Sequence, residues 1–217
     1  MDWDAKYLAS IKDIPLFDPN KIKLWNQKQR EYFVKILYHA RGHFHDVLWY
    51  MGNFAQDEES KQVILDNIAD EFGKKGFSHE KLYLRFAEAV GVDLSREFIK
   101  QENYLPFLKE FNRGHLEWMS EHDWEECASF FAALERLDNV DYIYGKNIAE
   151  SLGLTGKALT FFDVHIYADH FNPVCINNLI SIWESVPQKV EDGFYFVRTH
   201  QAVMWEKLSH AIFSYGD

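Results

Sequence analysis

Apolar residues recur along the chain at spacings of three and four, the mark of helix faces turned toward a core. Asp18-Pro19, a cap followed by a first-turn proline, opens a long helical segment predicted to run to about Phe54. Asp57 can cap a second helix carrying Val63, Ile64 and Ile68, which Gly73 and Gly76 then break. Ser78 caps a third, with Leu82, Phe86 and Val90 on one stripe and Gly91 at its end. Further helices are predicted at about 101–121, 123–151, 155–170, 174–186 and 188–214, with Thr155 and Pro187 at cap and boundary positions. No stretch sustains a period-two apolar pattern, so strands are not expected. The pattern predicts an all-α fold of seven or eight helices. With no repeat and no Pro-, Gly- or Ser-rich linker, one domain over 1–217 is the expectation.

Composition narrows the partners. The 34 Asp and Glu outnumber the 23 Lys and Arg, a net charge of −11. An acidic surface without a basic run repels phosphate backbones, so nucleic acid is not an expected partner. The best apolar run, Cys127 to Leu134, is far short of the roughly 18 residues of a membrane span. Met1-Asp2-Trp3-Asp4 has neither the basic region nor the apolar core of a signal peptide, and Cys127 and Cys175 read as reduced thiols. A cytoplasmic protein is expected.

Several familiar chemistries are absent: no Gly-rich dinucleotide turn, no phosphate loop, no Gly-x-Ser-x-Gly elbow and no Cys-x-x-Cys pair. None of the ten histidines has a glutamate three residues before it, which excludes a standard ferritin-like site.

What remains is a set of ionisable residues on apolar stripes, where an unpaired charge is costly. Glu71 follows Ile64 and Ile68 by seven and three residues. Glu135 follows Ala128, Phe131 and Ala132 by seven, four and three, and His165 stands in the same relation to Ala158, Phe161 and Phe162. Asp169 lies one turn beyond His165, and His79, just past the glycine break, can return to the neighbourhood of Glu71. Such an oxygen and nitrogen donor set suits iron or manganese. Each residue has an ordinary reading as well: a rim glutamate paired with a cation, a helix-start histidine bonded to backbone, a simple His–Asp pair.

The segment from Asn67 to Phe86, with Asp70-Glu71, Gly73, Gly76 and His79, resembles a signature of the haem-oxygenase-like metal oxidases, also described as iron-containing redox enzymes and including the CADD-like branch. Ala132-Ala133-Leu134-Glu135 and Phe161-Phe162-Asp163-Val164-His165, with Asp169, are similar to two further segments at roughly the family spacing. The resemblance implies a haem-oxygenase/TenA-like bundle over about residues 25–210. It implies a di-iron site of Glu71, His79, Glu135, His165 and Asp169, with Glu135 bridging, O₂ as co-substrate, a small organic substrate and a homodimer. The pattern's last histidine falls at Asn172; His170, two positions earlier, replaces it only if the helix is locally distorted. A single ion, or manganese, is the alternative.

Relatives in the CADD-like branch that consume their own tyrosine and lysine have a tyrosine where this chain has Leu134. Lys146 is a rough counterpart of their lysine, and Tyr142, Tyr144 and Tyr167 are candidates for the cavity, so Glu135, Tyr142 and Lys146 form the catalytic expectation. His39, His43 and Asp46 share a predicted helix face and read chiefly as cavity-lining or acid-paired groups, with His43 a substrate-contact candidate. Cys127 faces inward and is the thiol of a TenA-like alternative, though a small buried cysteine is commoner. The competing readings are a metal-free TenA- or PqqC-like enzyme and a ligand-binding protein that has lost turnover.

Overall fold

The computed structural model describes residues 2–74, 76–167 and 173–215. The described residues contain no strand, and no described helix is long and apolar enough to cross a membrane. In chain order the helices are α1 (Trp3–Ile11), α2 (Pro19–Ile22), α3 (Gln27–Arg41), α4 (Phe44–Phe54), α5 (Glu58–Glu71) and α6 (His79–Val90). They continue with α7 (Ser95–Lys100), α8 (Pro106–Ser120), α9 (Trp124–Ser151), α10 (Thr160–Tyr167), α11 (Pro173–Ser185) and α12 (Pro187–Phe213).

Local chemistry sets most boundaries. Asp57, Ser78 and Asp123 each accept a hydrogen bond from a backbone N–H at the start of α5, α6 and α9, and Glu126 completes a capping box on α9. Gly91 ends α6 in the left-handed conformation at φ 87°. The segment predicted as one helix from Asp18 to Phe54 is divided into three. Asp18 does cap a helix, but α2 lasts a single turn. The chain then turns so that Trp25 buries itself against Phe33 and Phe213, while Asn26 caps α3 afresh in a capping box with Gln29. Gly42 ends α3, and α4 starts past His43. The pattern also missed α1 and α7, and the segment predicted at 101–121 begins only at Pro106. The segment predicted at 155–170 opens with a 3₁₀ turn, Gly156–Leu159, and Asp169, His170 and Asn172 lie outside the described residues.

The two long helices, α9 and α12, form the spine. They approach closely because Gly193 lies against α9: a Cβ there would sit 2.8 Å from the Phe130 nitrogen. Phe33, Phe86, Phe130, Phe162, Phe194 and Trp205 are fully buried around this spine. α10 packs against both α9 and α6, α4 packs on α5, and α5 touches α6. The apolar burial is the dominant driving force for this assembly. It brings together the ends of helices that carry the ionisable residues.

Candidate metal centre

Glu71 is the last residue of α5 and His79 the first of α6. The turn between them depends on Gly73, whose φ is +89° and where a Cβ would lie 2.6 Å from the Ser78 nitrogen. It returns the chain so that Glu71 Oε1 lies 2.7 Å from His79 Nδ1. The other oxygen, Oε2, lies 3.4 Å from His45 Nε2, supplied by α4. α10 delivers His165 from the far side, its ring centroid 4.4 Å from that of His79. Ligand atoms of Glu71, His79 and His165 all lie within 4.8 Å of one another.

The donor states follow from the partners. His165 Nδ1 is 2.6 Å from the Phe161 carbonyl oxygen, which only accepts, so Nδ1 carries the proton and donates it. In the neutral tautomer this leaves the lone pair on Nε2, the arrangement metal-binding histidines adopt. Burial acts to raise the Glu71 pKa, but the close polar contacts with the His45 and His79 rings outweigh it and hold this carboxyl well below the usual range. Its contact with Glu71 pushes His45 up, against the opposing effect of burial.

Glu135 enters from α9. It shares a cavity of about 30 Å³ with Glu71, Asp70, Asp138 and His165. Burial and the negative charges of Asp138 and Glu71 push its pKa well above the ordinary carboxylate value. An acid raised by neighbouring acids is a place where a cation is favoured. A second observation points the same way. His79 Nδ1 and His45 Nε2 are buried without a hydrogen bond, because their close approach to Glu71 is off the hydrogen-bonding direction. Carboxylate oxygens converging with imidazole nitrogens, and no thiolate, fit a divalent first-row ion such as iron or manganese.

The centre opens on a cavity of about 280 Å³ walled by Tyr38, Phe44, Tyr83, Tyr142 and Phe161, with Arg41 and Glu80 among its polar groups. Tyr142 stacks on His165, centroids 3.9 Å apart and planes within 12°, which fixes the imidazole's plane. Arg41 sits between the rings of Tyr142 and Trp205, 5.2 and 5.3 Å from their centroids. Asp138 and Asp141 bind its guanidinium at 2.9 and 2.8 Å, and the Tyr7 hydroxyl donates to Asp141. This buried network ties α1, α3 and α9 together behind the cavity.

Other expectations fare unevenly. Lys146 pairs with Asp163 at 2.8 Å and lines neither cavity of the centre; Asp163 lies two residues before His165 and therefore on another side of α10. Tyr144 packs on Phe17, centroids 4.3 Å apart, also away from the cavity. Nothing is described of the Tyr167 side chain. His39 is bound to Glu97 at 2.8 Å and stacked on Tyr104, while His43 contacts Asp46 at 3.2 Å. Both rings stack on Tyr104, that of His43 with its centroid 4.8 Å away, so the two histidines do lie on a shared side as expected. His43 does not line the large cavity, where a substrate contact was expected of it. Cys127 donates to the Met119 carbonyl at 3.4 Å, and burial pushes its pKa up to about 11. It lines a different cavity, of about 120 Å³, with Met119, His122 and Trp124. A thiol so protonated is a poor nucleophile. The sequence reading missed His45 and Arg41, both of which line the large cavity.

An all-α bundle that gathers carboxylates and imidazoles beside an aromatic cavity thus defines the class of protein. The sequence profile of a family described as iron-containing redox enzymes matches residues 31–171, which carry Glu71, His79, Glu135 and His165. The chain belongs to that family, and its bundle is of the haem-oxygenase-like kind. No curated protein matches the chain.

Proposed function

We propose that this chain is a non-haem iron-dependent oxidase or oxygenase that uses O₂ on a small organic substrate bound in the 280 Å³ cavity. The convergence of Glu71, His79 and His165 carries the reading, because three ligand-type side chains from three helices share one point beside that cavity. Glu71, His79 and His165 would hold one ion, and Glu135, on the adjoining cavity, would share a second with Glu71. Bound ferrous iron supplies the electrons for O₂ reduction. The chain's own residues do the rest. Tyr142 and the Phe161 carbonyl hold His165 in one plane and one tautomer. Phe44, Tyr83 and Phe161 exclude water from one side of the substrate, and the Arg41 network keeps the Tyr142 wall in place. His45, which contacts Glu71 and lines the cavity, is placed to hold a proton at its Nε2.

The test is anaerobic ferrous loading of the purified chain, followed by metal analysis and O₂ uptake. At least one iron per chain and oxygen consumption are expected, with Glu71→Ala losing both by tenfold or more. Iron far below one per chain with no O₂ uptake sinks the proposal.

A further inference from the structure

A second, smaller cavity adjoins the large one and shares Arg41, Phe44 and Tyr142 with it. Its volume is about 30 Å³, and four helices meet around it: α3 brings Arg41, α8 His115, α9 Asp138 and α12 Gln201. Two of these side chains carry a buried polar atom without a hydrogen bond. They are His115 Nε2 and Gln201 Oε1, on residues only 6% and 0% exposed. One such atom is costly, and two on one cavity point to an occupant that satisfies both.

The neighbours fix what that occupant is. Gln201 Nε2 donates to Asp138 Oδ1 at 2.5 Å. A carboxylate only accepts, so the amide cannot be turned round, and its oxygen calls for a separate donor. Around the His115 ring stand Phe111 and Phe130, centroids 4.6 and 5.7 Å away, and His200, whose Nε2 donates to the Phe111 carbonyl. Burial, with the charges of His200 and Arg41, holds His115 well below the ordinary imidazole value. The ring is therefore neutral, and its Nε2 either gives or takes one hydrogen bond. A volume of about 30 Å³ exceeds the roughly 10–15 Å³ that one water needs and falls far short of the roughly 150 Å³ of a cavity that admits benzene. Water both donates and accepts. Ammonium cannot accept a hydrogen bond, and sodium can neither give nor accept one.

We infer that one internal water bridges His115 Nε2 and Gln201 Oε1, and that His115 is through it a positioning residue for the Arg41 network. The line of contact runs from the water to Gln201, from Gln201 to Asp138 and from Asp138 to Arg41, which lies on the Tyr142 ring. Tyr142 in turn stacks on His165. The inference does not depend on a metal, so metal-free full-length protein serves for the test. A high-resolution crystal structure is expected to show one water within about 3.2 Å of both His115 Nε2 and Gln201 Oε1. In solution, oxygen-17 relaxation dispersion counts long-lived internal waters. His115→Leu should lose one of them, while His115→Gln, whose amide reaches the same point, should keep it. The Arg41 Nε–H resonance reads the coupling: it should shift in His115→Leu and return to the parent position in His115→Gln. A dry site, a peak with the short multiple contacts of a cation, or a water count unchanged in His115→Leu overturns the inference. So does an Arg41 signal that responds alike to both variants. If His115→Leu fails to fold, the parent crystal structure and the count in His115→Gln decide the matter without it.

Discussion

At Glu135 two demands oppose each other. Its carboxyl is sunk beside α9's own Asp138 and across from Glu71, so without a cation it holds its proton well above the ordinary carboxylate range. The sign of the pH effect follows. A folded-state pKa above the unfolded value means that the native chain gains least as pH rises, since the unfolded chain ionises freely while the native one keeps a proton or buries a charge. Metal-free protein should therefore lose stability from this group as pH climbs above the unfolded carboxylate value near 4.3. Glu135→Gln keeps the shape and removes the penalty. In thermal scans of chelator-treated protein the variant should melt higher than the parent at pH 7, with the gap closing toward pH 4. A melting point for the variant at or below the parent's at pH 7 would refute the repulsion. With ferrous iron present the order should reverse, because an amide oxygen is a weaker donor than a carboxylate.

Among the elements, the hairpin between α5 and α6 decides whether a centre exists. Two glycines stand in it, and the sequence treats them alike as helix breakers. Gly73 has φ +89° and no room for a Cβ beside the Ser78 backbone, whereas nothing lies within 4 Å of a Cβ at Gly76. Gly73→Ala is expected to cost about 1–2 kcal/mol from the left-handed backbone alone and more from the clash. It should also weaken iron binding at least tenfold by separating Glu71 from His79. Gly76→Ala should be nearly silent in both. Melting temperature and ferrous affinity of the two variants, measured side by side, decide it; equal effects would mean that the turn geometry does not matter. This hairpin also shows what was legible. Caps at Asp57 and Ser78 and the stop at Gly91 act within a few residues, so the sequence pattern finds them. The inward Glu71 and His165 were visible as polar breaks in apolar stripes. His45 was not, because an unbroken helix from Asp18 to Phe54 turns it away from the His39–His43 face. Only the break at Gly42 and the packing of α4 on α5 bring it to Glu71. The partners of Arg41, nearly a hundred positions away on α9, leave no local signal at all.

Across the whole molecule, the net charge of −11 says little about function, because most of the acids are solvated. The centre differs in that its acids and imidazoles come from α5, α6, α9 and α10, which meet only when the bundle is folded. An unfolded chain offers a divalent ion scattered side chains; the native chain offers a converged set. Binding free energy is then folding free energy. Ferrous iron held at a hundred times its dissociation constant adds about 2.7 kcal/mol to stability. For a chain of this length that corresponds to roughly 5–11 °C in melting temperature, at about 2–4 °C per kcal/mol. Magnesium at the same concentration should give little, since it prefers oxygen and water to imidazole, and the centre supplies two imidazoles with Glu71. Scanning calorimetry under anaerobic conditions separates the cases. The shift should appear with iron, vanish in Glu71→Ala and reverse with chelator. An equal shift with magnesium, or one that survives Glu71→Ala, would move the ion out of the α5–α6–α10 junction and onto the acidic surface.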